Sequence, residues 1–335
     1  MTAPVAPIVQ LVCPGCKEPL AANEDGWKCS QCGHAYTRNQ GVVSFLSPEE
    51  RFNESVYEEK QIAAWTTSAR LRERIRASRL LTVLNDVRIR LSLSGRRDRL
   101  FRDEMRPGAG PHRKILDLGC GGGRHYFCDY GAVVGIDPVL PLLKMAGTMY
   151  REVYQTSGFK LPFADGSFDY VVSSDVLGHI SAGNKDLLFQ EIHRVLKPGG
   201  RTVHCSEADG QNFWFRFAHR YPELFAVYFV DRPGHIGLER PTDLRQRFLR
   251  HGFREVAFKR LNSVIQEPGT LVALFDNEYA TKSRWIRWAV AIDRVLTRSF
   301  AVRELINFAL EPLAKLEDAC TDLNSTSFMV GNQRC

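Results

Sequence analysis

Short apolar runs that end in a polar residue recur through the middle of the chain. The first, residues 114–118, leads into a glycine cluster, the second ends at Asp137, and the third, DYVVSS, precedes Asp175. The third run has the near-continuous apolar character of a strand buried in a parallel sheet. Because ligands of open α/β sheets lie beyond the carboxyl ends of the strands, we expect Ser174, Asp175 and His179 to line a pocket.

Helical periodicity flanks these runs on both sides. Between residues 49 and about 106, apolar residues fall near helical spacing, namely Leu71, Ile75, Leu81, Leu84 and Val87. Residues 253–265 and 326–333 predict two further strands, and the segment between them, about 266–325, is mostly helical in character. Its Arg284, Arg287, Arg294 and Arg298 share one helical face, with Trp285, Trp288, Ile292 and Val295 elsewhere. Such an amphipathic helix caps a substrate, pairs two subunits, rests on lipid headgroups or packs on the core.

The glycine cluster indicates a nucleotide-like ligand. A strand that feeds Gly119, Gly121, Gly122 and Gly123 into a helix start is expected to present bare backbone amides. A dinucleotide site requires a third glycine where this chain has Arg124. Asp117 and Asp137 instead suit a ligand with an ammonium group at one end and a ribose diol at the other. S-adenosylmethionine is such a ligand.

Four motifs then carry a family resemblance: ILDLGCGGG, VVGIDP, LPFADGSFDYVVSSDVLGHI and EIHRVLKPGG occur in this order. Over roughly residues 112–265 the chain resembles class I S-adenosylmethionine-dependent methyltransferases of the type 11 group. The resemblance implies an α/β fold with a doubly wound, mostly parallel seven-stranded sheet.

The resemblance also implies the roles of individual residues. Asp117 and the glycine loop would hold the methionine end of the cofactor, and Asp137 would accept hydrogen bonds from the ribose. Ser157 stands where the family usually has an acidic residue, so the backbone near Gly158 and Phe159 is expected to hold the adenine. The implied cofactor-binding residues are Asp117, Gly119, Cys120, Gly121, Gly123, Asp137, Pro138, Gly158, Phe159, Ser174 and Asp175.

Two histidines are the candidate catalytic residues. His179 occupies the family's Leu-x-His position, and His235 lies in the loop GHIGLERPTDL, which the family turns towards its pocket. Either side chain could take a proton from a hydroxyl acceptor, because the pKa of histidine lies near neutrality. The alternative is that each histidine is a hydrogen-bonded loop anchor. Thr242 or Asp243 is expected to cap the following helix, which Gly252 ends.

Four cysteines at the start of the chain predict a structural zinc site. Cys13, Cys16, Cys29 and Cys32 form two CxxC pairs separated by twelve residues, a pattern that can present four thiolates tetrahedrally. Four protein ligands leave no open position, so catalytic zinc is disfavoured. His34 is an alternative fourth ligand in place of Cys32. A disulfide framework or a redox pair fits poorly, since nothing indicates export or a thioredoxin-like pattern.

Positive charge is concentrated between Arg70 and Arg106. This stretch has twelve Arg and five acidic residues, which gives +7, the net charge of the whole chain. It could bind RNA phosphates, hold an anionic substrate or membrane surface, or form a solvated face paired with its own acids. Phe101 is its only aromatic residue, whereas readers of single-stranded RNA usually interleave aromatics for base stacking.

These features give one set of expectations. We expect a zinc ribbon in residues 1–48, a helical Arg-rich region in 49–111 and a methyltransferase domain in 112–335, with the helical insert at about 266–325. The favoured reaction is methyl transfer to oxygen of a small-molecule, glycan or lipid-linked acceptor. An RNA base methyltransferase of the ribosomal-RNA guanine type and a non-catalytic cofactor-binding module are the alternatives. No secretory signal or membrane span is predicted, so a cytoplasmic location is expected.

Overall fold

The computed structural model describes residues 7–47, 78–107, 109–262, 264–320 and 327–335. The predicted helical positions Leu71 and Ile75 lie outside this part of the chain, as do the four arginines between residues 70 and 76. The helical character of the segment before residue 78 therefore stays a prediction.

Eleven strands of the described residues pair in one continuous order. Four short strands come first: β1 (Leu20–Asn23), β2 (Gly26–Cys29), β3 (Ala35–Asn39) and β4 (Val42–Ser44). The others are β5 (Lys114–Leu118), β6 (Ala132–Asp137), β7 (Glu152–Gln155), β8 (Phe168–Ser174), β9 (Leu196–Glu207), β10 (Phe253–Asn262) and β11 (Ser327–Arg334).

The strand order is β1-β2-β3-β4-β7-β6-β5-β8-β9-β11-β10. Strands β7, β6, β5, β8 and β9 pair in parallel, and β11 lies antiparallel between β9 and β10. The order of the parallel strands reverses at β5, so the predicted doubly wound α/β fold class is confirmed. The expected strand number of seven is exceeded because β4 extends the sheet, with Val43 opposite Tyr154 in parallel register.

Helices cover the sheet and form the region before its last strand. In chain order they are α1 (Arg79–Leu91), α2 (Arg96–Met105), α3 (Leu140–Ala146), α4 (Ala182–Val195), α5 (Phe213–Ala218), α6 (Pro222–Phe225), α7 (Pro241–Arg250), α8 (Thr270–Phe275), α9 (Glu278–Lys282), α10 (Arg284–Leu296) and α11 (Phe300–Cys320). The last four lie within the segment where helices were predicted. None of the helices in the described ranges has the length and apolar character that crossing a bilayer requires.

The central strands are buried on both faces, as their apolar runs predict. Ile115 and Val133 belong to one buried cluster, while their neighbours Leu116 and Val134 belong to the other. Alternate residues of a strand point to opposite faces of the sheet, so a run that is apolar throughout needs cover on both sides. This burial fixes the register of the strands and therefore aligns the polar residues at their carboxyl ends.

The start of α7 differs from the expectation. The helix begins at Pro241 and its N-cap is Arg240, so the prediction that Thr242 or Asp243 caps it is wrong. Proline is favoured at the first helical position, where its missing N–H costs no hydrogen bond. The helix ends at Arg250, shortly before Gly252, whose φ of 78° lies in the left-handed region.

The aromatic-rich segment after β9 packs against the helical insert. Phe215, Phe217 and Phe229 are buried with Phe275 of α8 and Tyr279 of α9. These side chains form a separate hydrophobic core, and their burial stabilises the insert.

Helix α10 is amphipathic, but only part of its apolar surface is buried, and the rest is exposed to solvent. Ile286 and Val290 face the interior, whereas Trp285 and Trp288 are exposed over 82% and 66% of their surface. The apolar residues singled out in the sequence are therefore the exposed ones.

Candidate active site

Polar side chains gather at the carboxyl edge of the parallel strands. Asp117 lies in β5, Asp137 ends β6, Gln155 ends β7 and Ser174 ends β8. The parallel register brings these ends to one edge of the sheet, with Asp117 opposite Gly135 and Asp137 opposite Gln155. We call this edge, together with the glycine loop of residues 119–123, the cofactor side.

The glycine loop has a backbone that only glycine adopts without strain. Gly119, Gly121 and Gly123 have φ values of 64°, 51° and 80°. A Cβ at Gly119 would lie 2.6 Å from Cγ2 of Val176, so the loop also packs too closely for a side chain there. The shape of the loop is thus set by conformation and by packing together.

The loop uses several of its own amides, which the sequence did not predict. The N–H of Cys120 donates to the Ile136 carbonyl at 2.9 Å, and that of Gly121 donates to Oδ2 of Asp137 at 2.8 Å. The N–H of Gly123 donates to the Cys120 carbonyl at 2.9 Å. The expected helix start is a short 3-10 helix, His125–Asp129. The loop is therefore held by internal hydrogen bonds, and a long helix dipole does not support it.

Asp117 is buried beneath the loop. Its Oδ2 accepts a hydrogen bond from the Tyr150 hydroxyl at 2.6 Å, and that hydroxyl also accepts from the N–H of Arg124 at 2.6 Å. Burial raises the pKa of Asp117 to about 7, although the Tyr150 hydrogen bond and the charge of Arg124 act in the opposite direction. This carboxylate would gain from a cationic ligand group.

Asp137 connects the loop to the next turn. Its two oxygens accept from the N–H groups of Gly121, at 2.8 Å, and of Val139, at 2.9 Å. Burial raises its pKa to about 6 in spite of these hydrogen bonds. Each oxygen keeps a second lone pair, so a pair of ligand hydroxyls could still donate to it.

The predicted adenine-side residues lie just beyond β7. Gly158 packs closely, since a Cβ there would lie 2.7 Å from Cδ1 of Leu188, and Phe159 is half-buried against the core. Gln155 donates to the Pro138 carbonyl at 2.8 Å and so holds the turn after Asp137. The roles of these residues in binding stay predictions.

A second cluster of polar side chains lies at the same edge, and we call it the acceptor side. Its members are Arg97, Arg124, Ser174, Asp175, His179, Glu207 and His235. Asp175 has a left-handed φ of 61°, and its Oδ2 forms ion pairs with Arg97 of α2 and, at 3.5 Å, with Arg124. The Ser174 hydroxyl donates to the same oxygen at 3.1 Å. Burial opposes the charge of Asp175, but the two arginines outweigh it and lower its pKa.

His179, Glu207 and His235 complete the acceptor side. The rings of the two histidines lie 4.8 Å apart, and Nε2 of His235 is 3.8 Å from Oε1 of Glu207. Burial and the nearby carboxylate of Asp175 raise the pKa of Glu207 to about 8, and burial lowers the pKa of both histidines. The structure thus brings together both predicted histidines with a glutamate that was not predicted.

The four N-terminal cysteines converge as their spacing predicts. The sulfur of Cys16 lies 3.5 Å from that of Cys29 and 3.8 Å from that of Cys32, and the sulfurs of Cys13 and Cys32 are 3.6 Å apart. A tetrahedral zinc ion with Zn–S bonds of about 2.3 Å separates its sulfurs by about 3.8 Å. The donor set and its spacing therefore fit zinc. His34 is also close, with Nδ1 3.5 Å from the Cys32 sulfur.

Sequence reasoning missed several residues of this site. Arg97 belongs to the Arg-rich stretch, but nothing in the sequence separates it from the other arginines. Arg124 follows the glycine loop directly, and Glu207 ends β9, the strand that contains the end of the fourth motif, so position alone could have indicated both. Tyr150 and Gln155 carry no comparable signal.

Comparison with known proteins gives a family for part of the chain. Residues 116–204 match the model of a family described as a methyltransferase domain. A probable tRNA methyltransferase 9B of Bos taurus is 34% identical over 109 residues, which are 32% of this chain and 23% of that protein. A demethylmenaquinone methyltransferase of Streptomyces avermitilis is 38% identical over 120 residues, which are 34% of this chain and 51% of that protein. The chain thus spans about half or less of these relatives.

Solved structures of methyltransferases are among the proteins to which this chain is similar. Phosphoethanolamine N-methyltransferase 2 of Haemonchus contortus, in complex with S-adenosyl-L-methionine, has a TM-score of 0.39 at 19% sequence identity. The similarity covers 66% of this chain and 48% of that one.

Proposed function

We propose that this chain, which carries a class I S-adenosylmethionine-dependent methyltransferase domain, transfers a methyl group to an oxygen atom of a small-molecule, glycan or lipid-linked acceptor. The observation that carries the proposal is the pair of buried carboxyls at successive strand ends, Asp117 and Asp137, on either side of a glycine loop. Both residues lie within the segment that matches the methyltransferase family.

The cofactor side suits the chemistry of S-adenosylmethionine. The carboxyl of Asp117 is buried and has a raised pKa, so an ammonium group placed near it would stabilise its charged form. Asp137 could accept from ribose hydroxyls, because each oxygen is occupied by a single amide in the described structure. When bound, S-adenosylmethionine supplies a methyl group activated by its sulfonium. The chain's own part is to orient that group and exclude water.

The acceptor side supports a polar acceptor with a hydroxyl group. His179 and His235 are held neutral by burial, and both lie beyond the carboxyl ends of β8 and β9. Each is a candidate to take the proton of the hydroxyl as the new bond forms. Arg97 and Arg124 lie in the same region, where both pair with the carboxylate of Asp175.

The arginines of the described Arg-rich segment argue against an RNA-binding face. Six of them contact groups of the same chain, and Arg99, for example, pairs with Glu311 of α11. An arginine held by an internal carboxylate or carbonyl is less available for a phosphate. The partners are Asn85 for Arg88, the Leu261 carbonyl for Arg96, Asp175 for Arg97, Glu311 for Arg99, Asp86 for Arg102 and Asp103 for Arg106.

RNA stays the second candidate acceptor because relatives of this segment include proteins named as tRNA methyltransferases. The purified full-length chain would be incubated with labelled cofactor and, in separate reactions, with total RNA and with hydroxyl-bearing metabolite fractions. We expect label in the metabolite fraction. Label in RNA, with an affinity that falls steeply with salt, would overturn this choice of acceptor. Absence of S-adenosylhomocysteine binding by calorimetry would overturn the function as a whole.

We also propose that Cys13, Cys16, Cys29 and Cys32 hold a structural zinc ion. The Tyr36 hydroxyl lies 3.1 Å from the Cys13 sulfur. Burial opposes ionisation of Cys13, yet hydrogen bonds from Tyr36 and from the backbone of Cys16 and Gly15 lower its pKa, and a backbone hydrogen bond of Cys32 lowers that of Cys29. The neighbouring sulfurs raise the pKa of Cys16 and Cys32. Backbone amides that point at thiolates stabilise the charged form that zinc requires. Metal analysis of the purified protein tests this proposal: one equivalent of zinc, lost on replacing Cys29, is expected.

A further inference from the structure

Three side chains on the acceptor side have the composition of a metal site. One ligand atom from each of His179, Glu207 and His235 can be chosen so that the three atoms all lie within 4.8 Å of one another. The residues come from three separate segments: the 3-10 turn Leu177–His179, the end of β9 and the loop before α7. We propose that these side chains bind one divalent transition-metal ion, distinct from the zinc of the four cysteines.

The orientation of both histidine rings supports this assignment. Nδ1 of His179 lies 3.1 Å from the Gly234 carbonyl, and Nδ1 of His235 lies 3.0 Å from the Phe229 carbonyl. A carbonyl oxygen only accepts, so each Nδ1 carries the proton and each Nε2 is the basic nitrogen of a neutral ring. Histidine ligands of metals are commonly fixed by such a hydrogen bond from the opposite nitrogen.

The backbone holds the two histidine segments together before any ligand arrives. The N–H of Gly237 donates to the Gly178 carbonyl at 3.0 Å, and Lys185 donates to Oε2 of Glu239 at 2.9 Å. A Cβ at Gly237 would lie 1.7 Å from the Ile180 carbonyl oxygen, so no other residue fits this approach. The loop that carries His235 is therefore fixed against the turn that carries His179.

Glu207 is the third proposed ligand, and it would coordinate the ion through a carboxylate oxygen. Its Oε2 is buried and accepts no hydrogen bond from a described donor, its carboxyl contacts that of Asp175, and Oε1 faces His235. A buried carboxyl beside a second carboxyl is costly to charge, and a bound cation would stabilise its charged form. Two neutral imidazoles and one carboxylate suit first-row divalent ions and leave coordination positions open.

The open positions give the ion a role that rests on the proposed function. A hydroxyl of the acceptor that binds the ion loses its proton more readily, because the positive charge stabilises the alkoxide or phenolate. The O–CH3 bond then forms as the S–CH3 bond breaks, and the sulfonium becomes a neutral thioether. With the ion bound, His179 and His235 act as ligands in place of bases, so the hydroxyl proton passes to solvent. An acceptor with two neighbouring oxygens, such as a vicinal diol or a hydroxy acid, would bind the ion best.

Cobalt titration of the full-length protein, with zinc retained at the four cysteines and more weakly held metal removed by dialysis, tests the site without any methyl transfer. Co2+ on nitrogen and oxygen ligands gives weak visible bands, whereas Co2+ on cysteine thiolates adds intense charge-transfer absorption. We expect one equivalent of Co2+ to bind with the weak bands alone. Glu207→Gln and His235→Ala should weaken this binding by at least about 10-fold, the lower end of what disturbing a metal site costs. His219→Ala, which changes a histidine paired with Asp209 instead, should leave it unchanged.

The outcomes separate this inference from the proposed function. Binding of no Co2+ beyond the cysteine site, or equal binding by wild type and both variants, would overturn the metal site. A thermal melt and circular dichroism of each variant identify a fold defect, and Glu207→Gln is the milder change if His235→Ala unfolds. S-adenosylhomocysteine affinity is measured on the same samples. Cobalt binding without cofactor affinity would keep the metal site and overturn the methyltransferase function.

Discussion

The cofactor side and the acceptor side lie at the same edge of the sheet, yet they are built in different ways. Asp117, the glycine loop and Asp137 come from two consecutive strands, and hydrogen bonds between neighbouring strands hold them. The acceptor side joins residues that are far apart in sequence, from Arg97 to His235, through ion pairs and loop contacts. A locally built site can keep its shape while a long-range one changes, which allows one cofactor to serve different acceptors.

The largest expected effect is loss of the zinc proposed at the four cysteines, which should disturb the cofactor side. In Cys29→Ser we expect zinc release and a loss of several kcal/mol of stability, since metal binding is coupled to folding in such short segments. The N-terminal segment pairs with the sheet through β4 and β7, and Phe45 donates to the Gln155 carbonyl at 2.7 Å. Gln155 in turn holds the Pro138 carbonyl.

Metal content, a thermal melt and S-adenosylhomocysteine affinity measure this effect. Affinity for the cofactor product should fall with the zinc, because the turn after Asp137 loses part of its support. Cys335→Ser, which changes an exposed cysteine outside the cluster, is the control. A variant without zinc but with unchanged cofactor affinity would show that the two regions are independent.

The second prediction concerns the ion pairs of the acceptor side. Asp175→Ala leaves Arg97 and Arg124 without their shared carboxylate, and we expect a loss of about 1–3 kcal/mol in unfolding free energy. The expected loss is modest because the side chains of Arg97 and Asp175 are 33% and 28% exposed, and solvent therefore screens their charges. Denaturant titration measures the change, and Asp209→Ala, which removes the single ion-pair partner of His219 at a similar exposure, is the control. If both substitutions lower the unfolding free energy by the same amount, the ion pairs of Asp175 stabilise the fold no more than an ordinary ion pair does.

The same contrast explains what the sequence could predict. The strand run, the glycines and Asp137 are short-range signals, and each was found where the pattern indicated. The ion pair of Arg97 with Asp175 joins residues 78 positions apart, and no periodicity encodes such a contact. The 3-10 helix after the glycine loop was missed because the motif resembles that of a longer helix. The N-cap of α7 was missed because Pro241 competes with Thr242 for the helix start.

The third prediction tests the role of Asp137. Asp137→Ala removes the acceptor of two backbone amides and of the proposed ribose hydroxyls, so cofactor affinity should fall by about 1–3 kcal/mol. Calorimetric titration with S-adenosylhomocysteine measures the loss. Asp165→Ala, which removes an exposed partner of Arg194, should leave the dissociation constant unchanged. If both variants bind as tightly as wild type, Asp137 does not contact the ribose.

The fourth prediction concerns pH. Burial raises the pKa of Asp117 to about 7 and of Asp137 to about 6, so part of each is protonated near pH 6 in the cofactor-free protein. Cofactor affinity should rise from pH 6 to 7.5, with protons released on binding, because a cationic ligand group favours the charged form. The folded state binds more protons than the unfolded one between about pH 4 and 7, so these carboxyls lower stability as pH rises through that window. Calorimetry in buffers of different ionisation enthalpy counts the protons, and a zero count would contradict the assignment.

The smallest expected effect separates the two carboxyls of the cofactor side. The Tyr150 hydroxyl donates to Asp117, and this hydrogen bond lowers the pKa of the carboxyl against the effect of burial. In Tyr150→Phe the rise of cofactor affinity should therefore move to higher pH, with a loss of about 1 kcal/mol or less above pH 8, where Asp117 is charged in both proteins. Tyr154→Phe is the control, since Tyr154 donates to Glu152 at 3.0 Å and does not contact Asp117. An identical pH profile in wild type and Tyr150→Phe would indicate that Asp137 alone titrates on cofactor binding.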